Sequence, residues 1–165
     1  MIELRQIRKV FNAGRPNAFV AVDDVSTTIA GRQVTVFKGP SGSGKTTLLS
    51  IVGCMARPSA GRITLEDREI TSLPERFLTE IRRNTFGFIF QQLNLIKGLT
   101  VLENVMLPAY PVRERYEVLK QRAGRLLDLF ELGGKAPLQV EYCSGGEAQR
   151  VAIARALIND PAVIV

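Results

Sequence analysis

Eight consecutive residues in the first third of the chain have the types and spacing needed to bind a nucleoside triphosphate. They are Gly39-Pro40-Ser41-Gly42-Ser43-Gly44-Lys45-Thr46, and they fit the pattern G-x-x-x-x-G-K-[ST] at every fixed position. Glycines let the backbone turn so that successive N–H groups face one anion at the positive end of the following helix. Lys45 adds a cation, and the Thr46 hydroxyl is placed to ligate Mg²⁺. The pattern predicts a P-loop.

A P-loop needs a strand before it and a helix after it. The run Val34–Phe37 predicts a buried strand, and Thr47–Val52 predicts a helix whose first residue, Thr47, joins the phosphate site. The alternative is a flexible Gly/Ser linker that happens to contain a lysine. The flanking strand and helix patterns argue against that alternative, since this context is what the motif requires.

The front of the chain is predicted to be rich in β-structure. Apolar and β-branched residues predict strands over Ile2–Val10 and Phe19–Ile29, with a turn at residues 12–17 between them. After the P-loop helix, the sequence predicts a strand at Arg62–Leu65, a helix at Leu73–Arg83 with Ser72 as its cap and Pro74 in its first turn, and a strand at Phe86–Phe90.

The character of the chain changes after Gln91. Apolar residues recur at helical spacing over residues 100–110 and again over 116–132, with Pro108 and Pro111 marking the break between the two helices. A loop at residues 133–137 follows. A last helix begins after residues 143–147, and residues 162–165 begin a strand.

Composition and charge exclude several classes of function. The 22 basic and 16 acidic residues give a net charge of +6, but the basic residues are dispersed, and no aromatic stacking platform lies near Arg82-Arg83, the densest pair. We therefore expect no nucleic-acid partner. The chain has no histidine, which excludes any mechanism that needs an imidazole of its own.

The cellular location is predicted from what the sequence contains. No run approaches the roughly 18 apolar residues that span a bilayer, and the N-terminus lacks the apolar segment of a signal peptide. Cys54 and Cys143 have no metal-ligand spacing and are predicted to be unpaired thiols. We therefore expect a cytoplasmic chain.

A second motif carries a resemblance to a known family. Residues 143–150, Cys-Ser-Gly-Gly-Glu-Ala-Gln-Arg, resemble the L-S-G-G-Q signature of ATP-binding cassette (ABC) proteins. Ser144, Gly145 and Gly146 match, whereas Cys143 replaces the usual leucine and Glu147 the usual glutamine. The spacing of Ser144 and Glu147 also predicts a capping box for the following helix, and this interpretation is compatible with the signature motif. Glu147 brings a negative charge close to the expected phosphate.

Three further matches extend this resemblance over nearly the whole chain. Gln91 lies where the family has the Q-loop glutamine, which contacts Mg²⁺ and the attacking water, although it also fits a simple polar loop residue. Phe11 occupies the place of the aromatic that stacks on adenine, although a core aromatic is an equal alternative. Residues 159–165 resemble the approach to the Walker B strand. The stretches 81–84, 91–95 and 100–108 are similar to the ATPases of lipoprotein-release and macrolide-export transporters.

The resemblance implies an α/β fold with a P-loop NTPase (RecA-like) core. An N-terminal antiparallel β subdomain and an inserted helical subdomain belong to this fold, which is incomplete at the C-terminus. The chain is then a single partial ABC ATPase domain. Its parts are the β subdomain and P-loop core (1–90), the Q-loop and helical subdomain (91–142), and the signature helix with the start of the Walker B strand (143–165).

The mechanism implied is ATP hydrolysis coupled to transport. Two such ATPase subunits pack head to tail, so that ATP on one P-loop is covered by residues Ser144 to Glu147 of the other, and closure moves an integral membrane permease. By this resemblance, Lys45 and the loop amides bind the phosphates, and Thr46 and Gln91 contact Mg²⁺. The resemblance places the subunit in the cytoplasm at the inner face of the membrane, bound to the permease.

The same resemblance implies that catalytic groups of the family lie beyond Val165. The Walker B aspartate, the adjacent glutamate and the switch histidine are not among the 165 residues, so we expect weak nucleotide binding and negligible turnover by this stretch alone. We expect an N-terminal portion of a longer ATPase, with an open sheet edge that invites aggregation. One alternative is a degenerate module that binds ATP or the permease without hydrolysis. Another, a soluble cassette protein of DNA repair or translation, is disfavoured by the short spacing from Gln91 to Ser144.

Overall fold

The computed structural model describes all residues, Met1–Val165, in two compact units, Met1–Arg82 and Arg83–Val165. The boundary falls inside a helix, α2 (Glu75–Thr85). The first unit carries the P-loop residues, and the second carries Gln91 and the Ser144–Glu147 segment.

The first unit is built on a four-stranded antiparallel sheet. Its strands, in the spatial order β2-β1-β3-β4, are β1 (Ile2–Phe11), β2 (Phe19–Ile29), β3 (Ala60–Leu65) and β4 (Arg68–Glu69). The predicted strands at Ile2–Val10, Phe19–Ile29 and Arg62–Leu65 are thus confirmed to within two residues.

Strand β1 changes its buried face part-way along. Ile2 and Leu4 are buried at alternate positions, but the next buried residue is Ile7 rather than Gln6, because Gln6 adopts φ 51° at a register shift. Gly61 on β3 faces this bulge, and a Cβ there would lie 2.4 Å from the Gln6 carbonyl oxygen. Only a glycine therefore lets β3 pair with the bulged strand.

Helices α1 (Lys45–Val52) and α2 add buried apolar residues to the first unit, and Leu78 is the buried residue of α2. Leu48, Ile51 and Val52 are the buried residues of α1, so the helix predicted after the P-loop is confirmed. Helix α2 begins two residues later than predicted, because the Pro74 carbonyl is the acceptor for the first turn, from the Phe77 N–H at 3.0 Å. The predicted capping role of Ser72 is therefore wrong.

The predicted buried strand at Val34–Phe37 is also wrong. Residues 33–40 form no regular structure, and Val34 and Val36 are 90% and 66% exposed. The backbone of residues 33–38 makes no hydrogen bond to a neighbouring strand. An extended apolar run becomes a strand only where a partner pairs with it, and none does so here.

The second unit contains a short parallel sheet. Strands β5 (Phe86–Gly87) and β6 (Val163–Ile164) pair in parallel, and the Ile89 N–H extends the pairing with a 2.8 Å bond to the Val165 carbonyl. The strand predicted over Phe86–Phe90 is therefore shorter than expected, because its partner has only two paired residues.

Three helices and short 3-10 segments form the rest of the second unit. The helices are α3 (Val101–Met106), α4 (Tyr116–Leu129) and α5 (Gly145–Leu157), and the 3-10 segments are Leu107–Val112, Gly133–Lys135 and Val140–Tyr142. Their shared core contains Val101, Val105, Met106, Ala109, Leu119, Ala123, Leu127, Leu132, Val140, Val151, Ala154 and Ile158. Pro108 and Pro111 lie in the 3-10 segment that follows α3, as the break predicted there requires. No helix of the structure is both long and apolar enough to cross a bilayer.

Candidate functional site

The glycine before Lys45 fixes the geometry of the P-loop. Gly44 is the N-cap of α1 and has φ 84°, in the left-handed region. A Cβ at this position would lie 2.1 Å from the carbonyl oxygen of Ala21 on β2. A side chain would thus clash with backbone and strain the turn, so the loop enters α1 in this way only with glycine.

The first turn of α1 leaves its backbone donors free. No side chain caps the helix, its first turn has no acidic residue, and the N–H groups of Lys45, Thr46 and Thr47 have no acceptor in the chain. Helix N-termini with unsatisfied donors attract anions, because the helix dipole adds to the N–H groups. This end of α1 has the features of a phosphate site.

Lys45 lies over the loop that precedes it. Its Nζ donates hydrogen bonds to the carbonyl oxygens of Gly39 at 2.9 Å and Pro40 at 2.6 Å, and to the Ser43 Oγ at 3.3 Å. None of these acceptors is charged, and Lys45 has no carboxylate partner. The ammonium charge is therefore held against the loop without being neutralised by the chain.

Thr46 is the residue in the first turn of α1 whose side-chain hydroxyl is predicted to ligate a metal. The residue is exposed, and its hydroxyl makes no hydrogen bond within the chain, whereas its carbonyl accepts from the Ser50 Oγ at 2.8 Å. The chain holds no group of three or more His, Cys, Asp or Glu side chains that could bind a metal. A free hydroxyl fits Mg²⁺ that is held mainly by phosphate oxygens and water.

Phe11 lies at the end of β1 and is not a core residue. Its side chain is 36% exposed, and its ring stacks on Phe19 at a centroid distance of 5.3 Å and an interplanar angle of 22°. The Lys9 ammonium lies 5.1 Å from the Phe11 ring centroid. The pair presents an exposed aromatic surface, so the alternative of a buried core aromatic is wrong.

Gln91 lies in an exposed turn after β5, and its side chain makes no hydrogen bond within the chain. The segment that follows it is held from two sides. The Arg155 guanidinium on α5 donates to the carbonyls of Leu93 and, at 2.6 Å, Asn94. Farther along, the fully buried Asn104 bonds both the N–H and the carbonyl of Ile96. The turn that carries Gln91 is thus connected to ordered backbone.

The start of α5 is a capping box, as the spacing of Ser144 and Glu147 predicts. The Ser144 Oγ accepts from the Glu147 N–H at 3.4 Å, and the Glu147 Oε2 accepts from the Ser144 N–H at 2.9 Å. The N–H groups of Gly145 and Gly146 have no acceptor in the chain. The serine hydroxyl proton and two amides therefore remain free to donate.

The two glycines at the start of α5 are not required by the chain's own packing. Gly145 and Gly146 are exposed, neither has a positive φ, and a Cβ at either position would meet no atom within 4 Å. Small residues in open space at a helix N-terminus allow a second molecule to approach the backbone closely. This arrangement suits an anion delivered from outside the unit.

Lys135 pairs with the acidic residue of this motif. Its Nζ lies 2.6 Å from the Glu147 Oε1, while the other carboxylate oxygen is occupied by the Ser144 N–H. The hydrogen bond from Lys135, followed by that from Ser144, lowers the pKa of Glu147 to about 2. Glu147 is thus ionised at neutral pH, and Lys135 balances its charge.

A family model described as ABC transporter matches residues 22–165. The chain belongs to the ABC transporter family. This assignment agrees with the solved dimeric structure of MJ0796, an ABC transporter cassette, to which the chain is similar with a TM-score of 0.90 and 39% identity over 99% of the chain and 72% of that structure. A second MJ0796 structure, described as a post-hydrolysis state with ADP and Pi, matches equally well. The predicted ABC ATPase fold is confirmed.

ABC transporter relatives of two lengths match the chain. An ABC transporter ATP-binding protein of Thermotoga maritima is 41% identical over the full chain, which spans 70% of that relative. The macrolide export ATP-binding/permease protein MacB of Rhodospirillum rubrum is 43% identical over the full chain, which spans only 25% of it. The predicted similarity to the macrolide-export branch is confirmed by this match.

Sequence reasoning missed the side chains that act at long range. Lys135 is 12 residues from Glu147, and Arg155 is more than 60 residues from the carbonyls that it contacts. Neither spacing belongs to a local motif. The one available signal for Lys135 was the replacement of glutamine by Glu147, because an acidic residue at a phosphate site calls for a nearby cation.

Proposed function

We propose that the chain binds MgATP on its P-loop and, as the ATP-binding subunit of an ABC transporter, couples ATP binding and hydrolysis to export through a membrane permease. The observation that carries this proposal is the uncapped start of α1, where free backbone donors and the unneutralised Lys45 face the same loop. A charged triphosphate is the ligand that such a concentration of donors favours.

Each predicted site residue has a role in this proposal. The loop amides from Gly39 to Thr47 and the Lys45 ammonium bind the phosphates, and the Thr46 hydroxyl binds Mg²⁺. Mg²⁺ held there would supply charge neutralisation for phosphoryl transfer. Gln91, whose side chain makes no hydrogen bond within the chain, would contact the metal and the attacking water, and the exposed Phe11 ring would stack on adenine.

The second half of the site is proposed to come from another ATPase subunit. Ser144, Gly145 and Gly146 would donate to the γ-phosphate of ATP bound on the partner's P-loop. The free amides of the two glycines and the dimeric form of MJ0796 support this arrangement. Ser144 keeps its hydroxyl proton for this contact, because in the capping box it serves as an acceptor.

A permease partner and a location at the inner face of the membrane are proposed from the relatives. MacB of R. rubrum and the probable syringafactin export protein SyfD of Pseudomonas syringae are both named ATP-binding/permease proteins. An ATP-binding chain of this type would bind the cytoplasmic surface of its permease. Export of a small molecule is the transport class that fits these relatives, and lipoprotein transport stays a prediction of the family resemblance.

The alternative of a module that binds without hydrolysis is less well supported. The similarity covers the whole chain, and the MJ0796 cassette was solved with ADP and Pi. Low turnover by these 165 residues alone stays a prediction, which the ATPase rate of the purified chain tests directly.

Replacing Lys45 tests the proposed ATP site. In a fluorescence titration with a mant-labelled ATP analogue and Mg²⁺, Lys45→Ala is expected to weaken binding about 10- to 100-fold, the effect of one lost hydrogen bond to a charged group. Lys120→Ala is the matched control, because Lys120 on α4 is exposed, lies outside the loop and makes no hydrogen bond or ion pair. Its affinity is expected to stay within about twofold of the parent. Equal affinity of the Lys45→Ala variant and the parent would refute the proposed site.

A further inference from the structure

We propose that Lys135 is a positioning residue that allows an acidic signature segment to bind the phosphate of a second subunit's ATP. The inference rests on the proposed function and concerns one departure from the family pattern, the glutamate at position 147. An uncompensated carboxylate at the start of α5 would repel an incoming phosphate. Lys135 removes that repulsion by pairing with Glu147.

Lys135 pairs with Glu147 without occupying the N–H groups proposed to bind the phosphate. Its ammonium contacts Glu147 Oε1 at 2.6 Å, whereas Oε2 accepts the Ser144 N–H at 2.9 Å. Both oxygens of the Glu147 carboxylate thus accept hydrogen bonds from groups of the same chain. The free donors are the N–H groups of Gly145 and Gly146, which belong to neither bond.

Lys135 is held where the pairing can form. It ends the 3-10 turn Gly133–Lys135, whose backbone is fixed by a bond from the Lys135 N–H to the Leu132 carbonyl at 2.9 Å, and Leu132 is buried in the core of the second unit. The side chains of the pair are only partly exposed, 41% for Lys135 and 19% for Glu147. Partial burial makes an ion pair stronger and less screened than one in open solvent.

The function of the pair differs from that of a purely structural ion pair. A structural pair would affect folding stability alone. A pair that neutralises charge at a phosphate site would change the ATP-dependent association of two chains, and would do so only while Glu147 is present. The dependence on Glu147 therefore distinguishes the two roles.

The experiment is a double-mutant cycle read by sedimentation equilibrium with MgATP and, as a comparison, with MgADP. The parent is expected to associate more strongly with MgATP. Lys135→Met is expected to weaken this association about tenfold, and Glu147→Gln is expected to strengthen it by removing the carboxylate charge. In the E147Q background, Lys135→Met should have little effect, about twofold or less.

A matched control accounts for the loss of a positive charge. Lys120 on α4 is exposed and has no ion-pair partner, so Lys120→Met changes the net charge by the same amount and is expected to leave association unchanged. Thermal unfolding of each variant without nucleotide shows whether it folds. If Lys135→Met does not fold, Lys135→Gln replaces it in the cycle.

Three results would overturn the inference. One is equal weakening by Lys135→Met and Lys120→Met, another is the same loss from Lys135→Met in the E147Q background, and the third is no MgATP-dependent association of the parent. None of these results refutes ATP binding on the P-loop, which the Lys45→Ala titration tests separately. A parent that fails to bind the mant-ATP analogue refutes the proposed function itself.

Discussion

Lys45 in the P-loop and Glu147 at the start of α5 carry opposite charges, and these charges are balanced differently. Lys45 is bonded only to neutral oxygens of the loop, so its charge remains available to a ligand. Glu147 is paired with Lys135, so its charge is balanced within the chain. Both arrangements leave a local excess of donors over acceptors, which favours an anion at each site.

The ionisation of Glu147 predicts a pH dependence of folding stability. Its pKa is lowered from 4.5 to about 2 in the folded chain. A lowered carboxyl pKa stabilises the folded state fully above the unfolded value, and this contribution is lost as pH falls from 4.5 to about 2. Urea unfolding should therefore show the parent more stable than Glu147→Gln at pH 7, with a difference that shrinks below pH 4.5.

Glu117→Gln controls for the loss of a carboxylate, because Glu117 is exposed on α4 and has no ion-pair partner. A difference between the parent and Glu147→Gln that is the same at pH 7 and pH 3 would contradict the assigned ion pair.

The site residues that belong to local sequence motifs were predictable. The P-loop and the Ser144–Glu147 capping box are local patterns, so spacing alone identified the start of α5 and placed that of α1 within two residues. The exposure of Phe11 was not predictable, because it depends on the pairing of β1 with β2 and on the stacking with Phe19. Lys135 belongs to no local motif, and its one signal was the glutamate at position 147.

Helix ends differ in a way that matches their proposed roles. Helices α3 and α5 both begin with a complete capping box, Thr100 with Glu103 and Ser144 with Glu147. Helix α1 has neither a capping side chain nor an acidic first turn. A capping box satisfies one donor of the first turn within the chain and leaves the Gly145 and Gly146 N–H groups of α5 free, whereas α1 leaves all three N–H groups of its first turn free.

The segment after Gln91 depends on one buried amide. Asn104 is fully buried and bonds the Ile96 N–H at 2.7 Å, the Ile96 carbonyl at 3.1 Å and the Thr100 carbonyl at 3.1 Å. Asn104→Ala leaves these backbone groups without partners. We expect it to lower the free energy of unfolding by about 2–4 kcal/mol in urea denaturation.

Gln121→Ala is the control for this substitution. Gln121 is exposed on α4 and makes no hydrogen bond, so a change within about 0.5 kcal/mol is expected. If Asn104→Ala were as stable as Gln121→Ala, the assigned role of Asn104 in holding the segment would be wrong.

The helices were predicted more accurately than the strands. Helices α1 and α5 follow from periodicity and capping, which are properties of a continuous segment. The strand predicted at Val34–Phe37 is absent, because a strand needs a partner that its own residues do not specify. The strand predicted over Phe86–Phe90 is likewise shorter in the structure, as β5, because only two of its residues pair with β6.

For the whole molecule, the resemblance predicted the fold class better than local patterns did. The TM-score of 0.90 to the MJ0796 cassette confirms the ABC ATPase fold, although one predicted strand is absent and another is shorter than predicted. The division into parts at residues 1–90, 91–142 and 143–165 stays a prediction. The P-loop lies in the first unit and the Ser144–Glu147 segment in the second, and a composite phosphate site formed by two chains remains a proposal.

The central claim is that MgATP binds at the amides of the P-loop and the first turn of α1. Two-dimensional ¹H–¹⁵N correlation spectra of the chain, recorded during an MgATP titration, test it most directly. The account predicts that the largest shift changes occur at the amides of Gly42, Gly44, Lys45, Thr46 and Thr47, whose N–H groups have no acceptor in the chain. Saturating MgATP that leaves these amides unshifted while moving those of another surface would contradict it.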